Sequence, residues 1–479
     1  MSLRGQAIGG VFWTVADAFV LRGMTFIASI ILARWLGPSE FGLVGMMTVF
    51  IALGTTLTDS GLTASLIRTK ERDQRDYTTV FWLNLGMSLF IYIVLFFSAP
   101  YIALFFKQEV LVGLIRIYTL GFIISAFSAV QLAKLTANLE FKKIAKLNVP
   151  GTIIGTSIGL VLGYYNYGAY AVVYMYLSIQ IIQSFMLWMM SNWRPVFSFS
   201  KDRAEYHYKF GYKLMLSNVI GIVFQNIYDI IIGRVYSVKV LGYYERSHSF
   251  NNFPISMITS VMSKVTYPLL SSIQDDKLQL GIVYRKILRL TFFIVAPLMT
   301  IAAAIAEPLF QLMLGDAWLP AVPFFQIICL STMFFPIHAF NLNVFMVYGR
   351  SDLFLKLEVI KKIVIIGSIV IGFYFGIYGL LWGSVVTSYI SLIINTHYSA
   401  DMINYSQKQQ FNDMLPILVF ALISSGGVFL FNEYVQFNLN IVQVILGSIL
   451  GGVTYLVLNY LIKSEPLMYS ISLIKEKIK

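Results

Sequence analysis

With 479 residues, 58% hydrophobic side chains, 12% charged ones and a mean hydropathy of +0.74, the chain has too little polar surface to cover a soluble globule. It reads as an integral membrane protein. The formal charge of +12 belongs, in a chain this apolar, to loops resting on anionic lipid head groups and does not point to nucleic acid.

Apolar runs of roughly 20 residues, long enough to cross a hydrocarbon layer of about 30 Å, recur from one end to the other. Fourteen spans are predicted, at 9–34, 40–66, 78–105, 110–135, 146–165, 168–191, 212–236, 240–270, 283–306, 320–347, 355–375, 378–400, 413–432 and 438–462. The second is interrupted by Asp59-Ser60-Gly61 and the eighth by Pro254 and Pro268. Strand-period alternation is absent, so the expected fold is all-α, a bundle of membrane helices. The first run is followed by "ARWLGP" where a signal peptide would carry a small-residue cleavage site, and it is read as a span.

Lys and Arg set the orientation. With the N-terminus in the cytosol, the basic loops around 68–75, 134–146, 194–213, 277–289 and 350–362, together with the tail, all fall inside. Only Arg34, Lys107, Arg234 and Lys239 fall in the outer loops, and both termini are expected to be cytosolic.

"ILARWLGPSEFG" at 31–42 returns in part as "IIGRVYSVKVLG" at 231–242, so that Ile30, Ile31, Arg34 and Gly42 recur as Ile230, Ile231, Arg234 and Gly242. Six predicted helices separate the copies, an even number, so both copies face the same side. That predicts two parallel six-helix lobes, 1–200 and 201–403, with Arg34 and Arg234 at equivalent corners. Residues 404–479, opened by the polar "NYSQKQQFND", add two further helices and a cytosolic tail. The loops outside the membrane are too short for a soluble domain.

Chemistry is sparse. No paired carboxylates with a neighbouring His, no Gly-rich phosphate loop and no ATP-binding pattern occur. His207, His248, His338 and His397 are scattered without a second ligand at helical spacing, so no metal and no cofactor are expected. Cys329, the one cysteine, lies in an apolar run and is read as an inert core residue. Transport, not catalysis, is the expectation.

Charges at membrane depth are therefore the candidate site, because they are costly in hydrocarbon unless they face a cavity or a partner. Arg22 lies midway along the first span, with Asp17 five residues earlier and so about 140° around the helix. It either lines a lumen or pairs with another helix. Arg246 and Lys264 are five turns apart on the eighth span, on one face about 27 Å apart. They contact substrate, or Lys264 snorkels to the head groups. Arg116 on the fourth span is a further candidate cation. Asp59 either pairs with a basic residue as a gate or caps a helical fragment. Asp229 and Glu307 either couple transport to an ion or lie exposed near the outer surface.

"LGPSEFGLVGM", "DSGLTASLIRTKE", "TTVFWLNLGMS", "GYYERSHSFNNFP", "YPLLSSIQDD" and "LGDAWLPAVPFFQIICL" resemble the Wzx-type polysaccharide exporters, particularly the branch of the colanic acid and teichuronic acid exporters. The resemblance runs from near the N-terminus to about the twelfth span. It implies the multidrug, oligosaccharidyl-lipid and polysaccharide flippase superfamily, with two six-helix lobes around a central cavity. The implied substrate is an undecaprenyl-diphosphate-linked oligosaccharide, flipped from the cytosolic to the outer leaflet of the bacterial plasma membrane. The implied partners are membrane lipids and the polysaccharide polymerase and chain-length machinery. Around "YYERSHSFNNFP" the chain is also similar to the lipid II flippase, whose arginine before Phe-Pro matches Arg246; Arg22 corresponds only by its place on the first helix. A multidrug exporter of the same superfamily, or a membrane polymerase or ligase acting on the same lipid, are the alternatives.

The topology is testable directly. A cysteine replacing Lys70 in a Cys329→Ser chain is expected to react with an impermeant maleimide only after the membrane is permeabilised, and reaction in intact cells would reverse the orientation.

Overall fold

In lipid a backbone must satisfy its own hydrogen bonds, and the apolar runs do so as helices. The computed structural model describes residues 21–69, 71–435 and 437–478; these are helices joined by short turns, with no strand among them. They divide into two compact units, Met1–Glu245 and Arg246–Lys479. The first holds α1 (helical over 21–36), α2 (Pro38–Asp59), α3 (Leu62–Arg68), α4 (Gln74–Phe106), α5 (Leu111–Tyr118), α6 (Leu120–Ala137), α7 (Phe141–Tyr164), α8 (Ala169–Met190), α9 (Lys201–Gln225) and α10 (Ile227–Val235). α11 (Val238–Ser272) begins in the first unit and ends in the second. The second unit continues with α12 (Lys277–Ala304), α13 (Ala306–Met313), a 3-10 turn at Asp316–Ala321, α14 (Val322–Thr332), α15 (Phe335–Val347), α16 (Ser351–Phe373), α17 (Gly376–Ile403), α18 (Gln407–Tyr434), α19 (Asn440–Leu461) and α20 (Glu465–Ile478).

Among the described residues, 10 helical segments are long and apolar enough to cross a membrane, and α9 with α10, bent by 44°, makes an eleventh. This is a multi-pass membrane protein. α11 and α16 lie on the expected spans 240–270 and 355–375 but are not among these segments, α11 because Ser, Asn and His residues make it less apolar and α16 because Lys356, Glu358, Lys361 and Lys362 crowd its first half; the first expected span begins outside the described residues.

Two local expectations change. Asp59-Ser60-Gly61 does break the second span: Ser60 and Gly61 take φ of 46° and 69°, and α3 restarts beyond them. The prolines do not break the eighth, since α11 is continuous with Pro254 and Pro268 inside it. Neighbouring helices in a membrane bundle can re-satisfy the carbonyls that a proline frees. The tail beyond residue 462, expected only as a cytosolic tail, contains α20, which packs on α12 and α19 and pairs Glu465 with Arg289.

In the first unit α7 lies against α8 along Gly151, Gly155 and Gly159, spaced by four so that all three share one face. A Cβ on Gly155 would sit 2.4 Å from Ile179 Cγ1 and 2.7 Å from the Ile179 nitrogen. Small residues bring the backbones within van der Waals reach, which in lipid replaces the missing hydrophobic drive. Gly54 is likewise closed off by the Phe122 ring, whereas Gly221 faces open space.

The repeated corner makes a reciprocal contact. A Cβ on Gly42 would lie 1.9 Å from the Val238 carbonyl oxygen, and a Cβ on Gly242 would lie 1.9 Å from the Pro38 carbonyl oxygen. α9 and α10 also pack on α2 and α4, which is why compactness places 201–245 with the first eight helices. Which helices touch and which correspond in a repeat are separate questions.

In the second unit the last two membrane helices are tied down. Arg285 of α12 grips Asp413 of α18 with two hydrogen bonds of 2.6 and 2.9 Å, and Tyr405 donates to the same carboxylate. At the other end Asn432 donates to the Ala304 carbonyl at 3.0 Å and accepts from Gln443 at 2.8 Å. Cys329 is buried and accepts a hydrogen bond from Asn251.

Gly155→Ala is expected to lower the melting temperature in detergent by several degrees, at about 1–3 kcal/mol for overpacking a close contact. Gly221→Ala, with nothing near it, leaves melting unchanged or raises it. Equal melting of the two variants would contradict the packing described.

Candidate functional site

α9 carries Arg203, His207 and Gly211 at intervals of four residues, a spacing that sets all three on one face. That face meets the α2–α3 break and the first turn of α4. Gly211 and Gly61 touch backbone to backbone, for a Cβ on Gly211 would lie 2.3 Å from the Ser60 carbonyl oxygen. One turn back, His207 Nδ1 lies 2.9 Å from Ser65 Oγ and Nε2 lies 3.2 Å from Asp76 Oδ1. A neutral ring protonated at Nε2 satisfies both contacts, donating to the carboxylate and accepting from the hydroxyl; this tautomer is assigned from the network. Neither the His207 nor the Asp76 side chain is exposed.

Asp76 is held there by its own helix start. Asp73 caps α4, accepting from the Asp76 amide at 2.9 Å, while Asp76 Oδ2 accepts from the Asp73 amide at 3.0 Å. The second oxygen, Oδ1, is left for His207 and for Arg203, whose Nη1 approaches it at 3.3 Å. Arg203 also reaches Asp73 at 3.7 Å. The Asp76 amide, with Arg203 nearby, holds the Asp73 carboxyl below its usual range. Both nitrogens of His207 are engaged, so the cluster suits holding α3, α4 and α9 together rather than proton transfer to a substrate.

The charges singled out in the sequence are dispersed. Asp17 lies outside the described residues. Arg22 is exposed on α1, and its carbonyl accepts from the Thr25 hydroxyl at 3.1 Å. Arg246 is buried, with 7% of its surface exposed, at the start of the second unit. Lys264 lies on α11, and its side chain is outside the described residues. Arg116 leans on α4, donating to the Phe96 carbonyl at 3.2 Å with its guanidinium 4.2 Å from the Phe96 ring centre. Arg34 and Arg234 are both exposed, and Arg234 covers the Phe105 ring and donates to the Phe105 carbonyl. Asp59 is a cap: its Oδ1 accepts from the Thr63 amide at 3.3 Å. Asp229 is buried and hydrogen-bonds the Glu245 carboxyl, for which Gly45 of α2 leaves room. Glu307 is exposed.

Sequence reasoning missed the α3–α4–α9 cluster. His207 reads as scattered in the sequence because its partners stand 142 and 131 residues away. The Asp73-x-x-Asp76 capping pair and the Arg203, His207, Gly211 stripe were the readable signals.

The helices, their lipid-length spans and the glycine-mediated crossings define a multi-pass, all-helical membrane protein with the fold of the lipid II flippase: a solved structure of that protein in its inward closed conformation superposes with a TM-score of 0.73 at 16% identity, over 94% of this chain and 98% of that one. The chain belongs to the polysaccharide biosynthesis protein family, which its residues 31–323 match. It is 24% identical to the lipopolysaccharide biosynthesis protein WzxC of Escherichia coli (strain K12), over 82% of this chain and 81% of that one. It is 23% identical to the succinoglycan biosynthesis transport protein ExoT of Rhizobium meliloti (strain 1021), over 94% and 91%. The resemblance to Wzx-type exporters read from the sequence motifs is borne out.

Asp76→Ala and His207→Ala are each expected to lower melting, and in a double-mutant cycle to couple by about 1–3 kcal/mol, as contacting groups in one network do. Additive losses would mean that the two side chains do not act as a pair.

Proposed function

We propose that the chain is a flippase that moves undecaprenyl-diphosphate-linked oligosaccharide units from the cytosolic to the outer leaflet of the bacterial plasma membrane for surface polysaccharide synthesis. The observation that carries this reading is α2, which is closed against later helices at both ends. At its start Gly42 and Gly242 cross reciprocally, and at its end Gly61 meets Gly211 beside the Asp76–His207 cluster. Alternating access needs one closure on each side of the membrane, and α2 carries two. The reciprocal Gly42–Val238 and Gly242–Pro38 contacts are what a two-fold relation between the repeated corners produces. This supports lobes at 1–200 and 201–403; the fourteen spans and cytosolic termini of the same reading rest on apolar run length and the placement of Lys and Arg.

A lipid-linked diphosphate carries about two negative charges at its head, and cations must replace the water it loses. Arg22, exposed on α1, and Arg246, buried on α11, are the residues assigned to that task, with Arg116 and Lys264 as secondary cations. Arginine suits it because its fork binds phosphate oxygens in pairs. An outward-moving anion gains about 2.3 kcal/mol per charge per 100 mV with the cytosol negative. Ion coupling through the buried Asp229 carboxyl, or through Asp17 on the first helix, is a second source of drive. The polymerase and chain-length machinery would receive the product.

Arg22→Ala and Arg246→Ala are expected to insert normally but to lose surface polysaccharide, while Arg→Lys keeps part of it. Losing one charge-assisted contact weakens head-group binding by about 1.5–3 kcal/mol, roughly 10- to 150-fold. Wild-type polysaccharide from both alanine variants, at matched protein abundance, would remove the cationic-lumen mechanism.

A further inference from the structure

Beside the Arg203–Asp76 contact lies an open cavity of about 700 Å³ in the first unit. Three guanidinium groups line it, Arg68, Arg72 and Arg203, together with Glu71, Asp73 and the Tyr206 side chain. Their N–H groups are under-used. Arg68 lies over the Phe210 ring at 4.6 Å, a contact that orients it without consuming a donor. Arg72 gives one N–H to the Ile67 carbonyl at 3.2 Å. Arg203 is half-exposed and reaches its two carboxylates only at 3.3 and 3.7 Å. Good charge-assisted pairs are about 2.7–2.9 Å, a standard that Arg285 and Asp413 meet at 2.6 and 2.9 Å in the second unit. The cavity thus holds a guanidinium that is loosely committed to carboxylates, next to two others with donors to spare.

We propose that this cavity binds a diphosphate group, carried on a lipid or free in solution, and that binding draws Arg203 away from Asp76 and so releases α9 from α3 and α4. A phosphate oxygen pair matches the guanidinium fork and carries more charge than the carboxylates it replaces. Once Arg203 leaves, Asp76 keeps only His207 and the Asp73 amide as partners, and a buried carboxylate without its counter-charge weakens the closure it anchors. The neighbouring Gly61–Gly211 contact has no interlocked side chains to resist separation. The substrate would then open its own approach. The choice of a diphosphate rests on the flippase reading above; the release of α9 by an anion does not.

The test is hydrogen exchange on the full chain in nanodiscs, read over 62–69 and 201–211, with two probes: inorganic pyrophosphate, and polyprenyl diphosphate in the bilayer. Chloride at matched ionic strength is the control. Either probe is expected to speed exchange in both segments of the wild type. The Arg68→Gln/Arg72→Gln chain should need at least tenfold more of it, and Asp76→Asn should exchange fast with no probe. Response to polyprenyl diphosphate at the lower concentration assigns the site to a lipid head, and response to pyrophosphate alone assigns it to a soluble diphosphate. Exchange unchanged by both probes, a double variant that responds as wild type does, or an Asp76→Asn chain as protected as wild type would each overturn the proposal. A chain that transports lipid-linked oligosaccharide yet fails this test loses only the present inference. One that responds to pyrophosphate yet transports nothing keeps this site and loses the flippase reading.

Discussion

α2 meets other backbones at both of its ends, and only glycine permits it. At Pro38–Gly42 the opposing carbonyl would stand 1.9 Å from a Cβ, and at Gly61 the Gly211 oxygen would stand 2.7 Å away. Membrane helices gain little from burying apolar surface against one another, because lipid is as apolar as leucine, so close backbone approach and polar contacts must hold them. Such contacts also come apart cleanly. A glycine carries no side chain that must be withdrawn from between its neighbours when two helices part. A contact that is tight yet cheap to break suits a helix that closes and opens in turn.

The two ends differ in what accompanies the glycines. Beside Gly61 stands an ionic network with two fully buried members, Asp76 and His207, while at the Gly42 crossing the backbones meet beside the Val238 side chain. A buried carboxylate is expensive unless every lone pair is answered, and Asp76 is answered by an amide, an imidazole and a guanidinium. In the proposed cycle this end is therefore the one that an incoming anion can unlock. In the second unit, by contrast, the bidentate Arg285–Asp413 pair and the Asn432–Gln443 amides fasten α18 and α19 to α12 and give those helices the character of a fixed buttress.

Much of the fold was legible because hydrocarbon thickness writes itself into run length: α4, α5 with α6 taken as one span, α7 and α8 begin and end within a few residues of the predicted spans. The α2–α3 break was legible because Asp, Ser and Gly together are turn chemistry. Pro254 and Pro268 misled, since a proline that ends a helix in water is tolerated inside a membrane bundle. α20 was missed because its apolar face is too short to read as a span. Arg22 and Arg246 stand out as charges in apolar runs, whereas His207 has no second ligand at helical spacing and its partners lie 142 and 131 residues away in sequence. Its meaning came only when Ser65 and Asp76 closed around it.

The central claim is translocation of a lipid-linked diphosphate sugar by this chain alone. Purified chain reconstituted into liposomes, with a fluorescent polyprenyl-diphosphate oligosaccharide in both leaflets, allows that to be read by an impermeant quencher added outside. The account predicts that quenching passes beyond the outer-leaflet half within minutes when the chain is present and stops at half in protein-free vesicles. Quenching that stops at half in both would contradict it.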